Sequence, residues 1–173
     1  MPIERDVQTV TPTGERLAGL PDGMVVRDLI TQTDERGTVC ELYDPRWGVG
    51  PASLVFAYTF TVRPGMAKGW GMHREHDDRY AFLTGELELA FYDARQESAT
   101  AGQESRLVLS EAHRKLVLIP CGVWHAERNI GIVEVRVVNF PTTPYHHTNP
   151  DKYKLPLDTD ELPVRLGSAW RGW

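Results

Sequence analysis

The chain is expected to fold as a single all-β domain. From residue 24 onward, short apolar runs alternate with Gly, Pro and Asp clusters, and no window sustains a helical period of about 3.6 residues. The 173 residues suffice for one hydrophobic core and would starve two. Candidate strands are Met24–Ile30, Thr38–Tyr43, Ser53–Val62, the stretch approaching His73, Tyr80–Leu83, Glu86–Tyr92, SRLVL, KLVLI and Ile132–Phe140. Many short strands at such spacing suit a sandwich or barrel.

ELELAFY is the cleanest of them. Leu87, Leu89 and Phe91 alternate with Glu86, Glu88 and Ala90, giving one apolar face, and TGE before it supplies a turn. In IVEVRVVNF, Val133, Val135 and Val137 share one face; if the other face is covered too, Glu134 and Arg136 must pair with each other or with a ligand. The same alternation puts Asp78, Tyr80 and Phe82 together. The run Phe56, Tyr58, Phe60 reads as core packing. Residues 1–23, rich in Pro, Thr and Gly, form an arm ahead of a barrel spanning 24–140. The segment 141–173 carries too many prolines for a regular helix, although DTDEL could begin a short one, and Trp170 and Trp173 are expected to dock it on the body or on a partner subunit.

Bulk composition narrows the function classes. A net charge of −5 argues against a nucleic-acid binder. No apolar run reaches the roughly 18–20 residues that span a bilayer, and the N-terminus has no apolar signal core, so a cytoplasmic protein without a membrane partner is expected. Cys40 and Cys121 are far apart and offer no CxxC pair, which signals neither a disulfide framework nor a zinc knuckle.

Two stretches concentrate chemistry. KGWGMHREHDDRY places His73, His76 and Asp78 beside Trp70, and IPCGVWHAERNIG contains Pro120, Gly122 and His125 in the order P-x-G-x-x-H. The proline and glycine turn the chain so that His125 lies a few residues into the next strand, where a barrel interior receives it. This pattern resembles the second motif of the cupin barrel, a double-stranded β-helix or jelly-roll. Counting back from Gly85, the first cupin motif aligns His73 and Asp78 with its second histidine and its acid, and Gly71 with its first histidine. A metal-dependent reading therefore retains His73, Asp78 and His125, with His76 as a substitute, around a divalent transition metal.

From about Asp34 to Asp158 the chain also resembles the dTDP-4-dehydrorhamnose 3,5-epimerase-like family. The resemblance rests on DERGTVCELYDPRWG, GWGMH, GELELAFYDARQESATAG, LVLIPCGVWHAERN and PTTPYHHTNPDKYKLPLD, in that order. It implies proton exchange on a carbon beside the ketone of a nucleotide-linked sugar, with no cofactor. It assigns the base to His73 and aligns the tyrosine acid with Phe140, which has no proton to give; Tyr145, in the same loop, is the next candidate. Asp78, Tyr80 and His125 are expected to line the pocket, with Arg63 and Lys68 placed to meet a phosphate, Trp70 to stack on a ring, and Arg136 to face a ligand. A homodimer is expected from the arm and the Val-rich strand faces. A sugar- or metabolite-binding barrel without catalysis is the remaining alternative.

Overall fold

The computed structural model describes residues 5–51 and 53–172. It is nearly all strand: β1 (Val25–Asp28), β2 (Thr31–Asp34), β3 (Gly37–Cys40), β4 (Tyr58–Val62), β5 (Ala67–Met72), β6 (Asp78–Thr84), β7 (Glu86–Asp93), β8 (Glu104–Ser110), β9 (Lys115–Ile119), β10 (Val123–Asn129), β11 (Val135–Asn139) and β12 (Tyr153–Leu155), with one 3-10 turn at Pro45–Trp47. Two five-stranded antiparallel sheets, ordered β1-β9-β6-β11-β4 and β12-β5-β10-β7-β8, are accompanied by a small β2-β3 hairpin that lies between β1 and β4 in the chain. Among the described residues, no helix is long and apolar enough to cross a membrane.

The period-two alternation sets the layers. Leu87, Leu89 and Phe91 of β7 meet Tyr80, Phe82, Val117, Ile119, Val135 and Val137 in one apolar cluster. Phe82, Leu87, Leu89 and Phe91 have no exposed surface, and burial of side chains of this size contributes about 1.5–3 kcal/mol each. Gly85 makes the β6–β7 turn at φ +87°, with Val135 packed where a side chain would project.

Each sheet is also covered on its back. Residues 29–49 supply Leu29, Val49, Leu42, Tyr43 and Trp47 against Ala81, Leu116, Leu118 and Phe140. The C-terminal segment lays Leu162, Val164, Leu166 and Trp170 over Trp70, Ala90 and Ala126. Asp158–Leu162 forms turns rather than a helix, and Trp173 and residues 1–4 lie outside the described residues. The expected strand Ser53–Val62 is ordered as a strand only from Tyr58, and the expected Met24–Ile30 stops at Asp28, because Leu29 turns into the back layer.

Arg79 fixes the first of these covers. It is fully buried and is met by neutral oxygens: Nε donates to Phe140 O (2.7 Å), Nη1 to the Tyr43 hydroxyl (2.6 Å) and Pro51 O (2.7 Å), and Nη2 to Ser53 O (3.0 Å). A buried guanidinium lacking such partners would cost several kcal/mol; here it clips residues 43–53 to the end of β11.

Opposite β10, strand β5 carries one extra residue. His125 pairs with Gly71 and Glu127 with Lys68, so Gly69 and Trp70 together face Ala126. This bulge lets Lys68 and Gly71 both point inward while Trp70 points into the back layer.

Candidate active site

At one end of the sandwich the inner faces of both sheets become polar. Asp78 opens β6 on the face that carries Tyr80, and His125 and Glu127 follow Val123 on the inner face of β10. The Pro120–Gly122 turn, with Gly122 at φ +79°, docks on the strand end beneath them: Gly122 N donates to His73 O (2.7 Å) and Cys121 N to Asp77 Oδ1 (2.9 Å).

Asp78, 1% exposed, is the centre of the cluster. Its Oδ1 accepts from Asn139 Nδ2 at 2.6 Å, and its Oδ2 lies 3.2 Å from His73 Nε2 and 3.6 Å from His125 Nε2. His76 Nε2 stands 3.8 Å from Oδ1. Burial raises the Asp78 pKa, but His73, His125 and Asn139 outweigh it and hold the carboxyl ionised, well below the usual range. None of the contacts to Oδ2 is an aligned hydrogen bond.

The two imidazoles are oriented from behind. His73 Nδ1 faces the Asp151 carbonyl and His125 Nδ1 the Val123 carbonyl (3.2 Å), so each keeps its hydrogen on Nδ1 and turns Nε2 toward Asp78. Burial lowers the pKa of His73, yet Asp78 and Asp151 overcome it and leave a net rise. His125, buried with less compensation, is pushed down to about 4 and is neutral at pH 7. Glu127, 5% exposed, accepts from the Tyr80 hydroxyl at 3.0 Å, and burial pushes it up to about 7. The Tyr80 oxygen also lies 3.4 Å from His125 Nε2.

Two cavities meet at this cluster. The inner one, about 80 Å³, is bordered by Lys68, Gly71, Tyr80, His125, Glu127 and Lys154, and the outer one, about 340 Å³, by Phe56, His76, Pro144, Tyr145, Asn149 and Asp151. His73, Tyr58 and Lys152 border both.

Of the residues proposed from sequence, His73, Lys68, Asp78, Tyr80 and His125 gather here, and Tyr145 joins the outer cavity, 43% exposed. His76 joins the cluster as well: its ring lies against His73 with centroids 4.1 Å apart, and Nδ1 meets Asp151 Oδ2 at 2.8 Å. Two expected residues lie away from both cavities, and a third borders one with its ring packed elsewhere. Trp70 is among the residues bordering the inner cavity, but it packs in the back-layer cluster with no exposed surface, where the β5 bulge directs it. Arg136 faces solvent and pairs with Glu134 at 3.2 Å. Arg63 sits exposed in the turn after β4 and borders neither cavity. Phe140 packs against Tyr43 in the back layer, so the inward residue at the end of β11 is Asn139. Sequence reasoning missed Asn139, Glu127 and Asp151, and read Tyr58, which borders both cavities, as core packing. Glu127 alone left a signal, a charged residue two positions from His125 on the same strand face.

A small cavity with paired imidazole and carboxylate groups and lysines at its border is an arrangement that can support proton transfer on a small polar molecule. Over 134 residues the chain is 30% identical to the probable low-salt glycan biosynthesis epimerase Agl13 of Haloferax volcanii, covering 77% of this chain and 86% of that one. Its fold matches a dTDP sugar isomerase from Desulfovibrio desulfuricans (TM-score 0.77, 23% identity, 85% of this chain and 94% of that one) and a dTDP-4-dehydrorhamnose 3,5-epimerase from Sulfolobus tokodaii (TM-score 0.71, 17% identity, 88% and 86%). No family model matches. The chain belongs to the dTDP-4-dehydrorhamnose 3,5-epimerase-like family of sugar epimerases.

Glu127 offers a check on the electrostatics. Its folded pKa of about 7 exceeds the ordinary 4.5, so the folded state binds this proton more tightly. Its contribution to stability is full below pH 4.5 and lost as pH rises through 7. Thermal unfolding against pH should show wild type losing stability relative to Glu127→Gln across that window; parallel curves would contradict the buried, protonated carboxyl.

Proposed function

We propose that the protein is an epimerase of a keto-sugar nucleotide, built on a cupin-type jelly-roll barrel, in which His73 removes a proton from the carbon beside the ketone. The observation that carries this reading is the position of His73, at the junction of the two cavities with its ring oriented by the Asp151 carbonyl and its charge met by Asp78. Its kin support the substrate class: Agl13 is named a glycan biosynthesis epimerase, and the fold neighbours are named for dTDP sugars.

With Nδ1 keeping its hydrogen, neutral His73 holds its lone pair on Nε2. The Asp78 carboxylate lies beside Nε2 without an aligned hydrogen bond, so it stabilises the imidazolium that forms while leaving the lone pair to the substrate. Lysines 68, 152 and 154 border the inner cavity and would counter charge on an enolate oxygen. No cofactor is needed for these steps. We place the protein in the cytoplasm. We further propose a homodimer, supported by the exposed hairpin region, where Ile30 is 75% and Val39 66% accessible; sedimentation at micromolar concentration should give twice the chain mass, and a monomer would refute it.

The reaction is tested in D2O with a dTDP-linked keto sugar. Wild type should incorporate solvent deuterium beside the carbonyl, and His73→Asn should lose about 10²–10⁴-fold in rate. Because His73 must be neutral to act and its pKa lies above 6.5, kcat/KM should climb with pH through a single ionisation above that value. Absence of exchange in wild type would sink the proposal.

One observation favours a second reading, a bound divalent metal. Nε2 of His73, Nε2 of His125 and an Asp78 oxygen lie within 4.8 Å of one another, and Asp78 Oδ2 is buried with no hydrogen-bond partner. Both imidazoles bind main-chain carbonyls through Nδ1, as metal-ligating histidines commonly do. These residues would hold the ion, which would supply Lewis acidity beside the carbonyl. A Cβ at Gly71 would stand 3.6 Å from His125 Nε2, so position 71 faces the cluster but offers no ligand atom. Elemental analysis of protein purified without chelator separates the readings: a stoichiometric metal supports the second, and none supports the lone base.

A further inference from the structure

We propose that Tyr58 is the catalytic acid that returns a proton to the substrate on the face opposite His73. This rests on the epimerase reading and adds to it the group that the family resemblance leaves unassigned.

Position argues first. Tyr58 and His73 are two of the three residues that border both cavities, so a ring lodged across the junction touches both side chains. Tyr58 stands on β4, the edge strand of the first sheet, directly across from Asn139 at the end of β11. Phe140 turns away into the back layer, and Asn139, which does point inward, has no acidic proton.

Hydrogen bonding argues second. Asn139 Nδ2 donates to the Tyr58 oxygen at 2.9 Å, and Asn139 is itself held by Asp78 Oδ1 and by Arg79 N on its carbonyl side (3.0 Å). The phenol oxygen is thus fixed as an acceptor, and among the described residues its own hydrogen meets no acceptor. The other tyrosines are less suited. The Tyr80 hydroxyl donates to Glu127 and is almost wholly buried, and Tyr145 borders only the outer cavity. Burial and the neighbouring Asp78 charge keep Tyr58 protonated.

The step balances as follows. His73 Nε2 takes the proton from the carbon, the C–H pair becomes the C=C bond of an enolate, and the carbonyl π pair moves to oxygen. The enolate then re-forms C=O, and its carbon takes the Tyr58 hydrogen on the other face. The phenolate that remains keeps the Asn139 N–H bond and recovers a proton from solvent, since Tyr58 is 38% exposed. His73 releases its proton to solvent, so one proton leaves and one enters per inversion.

The test uses the full chain, wild type and Tyr58→Phe, with a dTDP-linked 4-keto-6-deoxy sugar in D2O, followed by proton NMR. Removal of the Tyr58 hydroxyl leaves Asn139 bound to Asp78, so the fold is expected to survive, and an unchanged melting temperature checks this. The variant should form epimer about 10²-fold more slowly or worse, with KM little changed, while deuterium still enters the recovered substrate because His73 abstracts and returns on its own face. Inversion at the wild-type rate would overturn the assignment. So would joint loss of exchange and inversion, which would place the hydroxyl in binding or in abstraction. A wild type showing neither exchange nor inversion would refute the epimerase reading itself, and this inference with it.

Discussion

The site is organised by the need to compensate one buried carboxylate. Asp78 sits at the start of a central strand with 1% of its surface exposed, and a carboxylate so placed survives only with partners. Those partners are the working parts: Asn139 at 2.6 Å, His73 at 3.2 Å and His125 at 3.6 Å. They come from three separate strands or strand ends, so satisfying Asp78 aligns the two sheets at this end of the molecule. Asn139 transmits the alignment one step further, to the Tyr58 hydroxyl.

The cluster holds groups of opposite tendency within a few ångströms. His73 is drawn toward protonation by Asp78 and Asp151, whereas His125 is driven to neutrality by burial. Glu127, whose burial outweighs its bond from Tyr80 and the pull of Lys68 and Lys152, is pushed up to about 7. Pairs of titratable groups whose surroundings separate their proton affinities are what acid and base chemistry requires near neutral pH. The same convergence of nitrogens on Asp78 is what a metal would use, which is why the two readings share residues and are separated by elemental content rather than by geometry.

Much of this was legible in the sequence where a single strand decides the outcome. Leu87, Leu89 and Phe91 alternate cleanly and fill the interlayer core, and the same rule placed Asp78 with Tyr80. Family resemblance selected His73 among six histidines. What failed depended on information outside one strand. Tyr58 looked like core because an aromatic alternation reads the same on a packed strand and on an edge strand that borders a cavity. Asp151 reaches His73 from 78 positions away through an irregular loop, a contact that no local pattern encodes. Arg136 lay on a strand of undecided facing, and only the assembled sheet shows that its side meets water.

Trp70 was misplaced for a more specific reason, the extra residue in β5. An inserted residue acts as a phase shift: side chains before and after it obey the same alternation, but with inside and outside exchanged. This single strand therefore serves two layers, giving a lysine to the cavity, an indole to the cover beneath the C-terminal segment, and the line that leads to His73. Losing Trp70 would restore a regular ladder with Lys68 still opposite Glu127 and Gly71 still opposite His125, so the reaction centre would keep its facing while the cover beneath the C-terminal segment lost the indole it packs on.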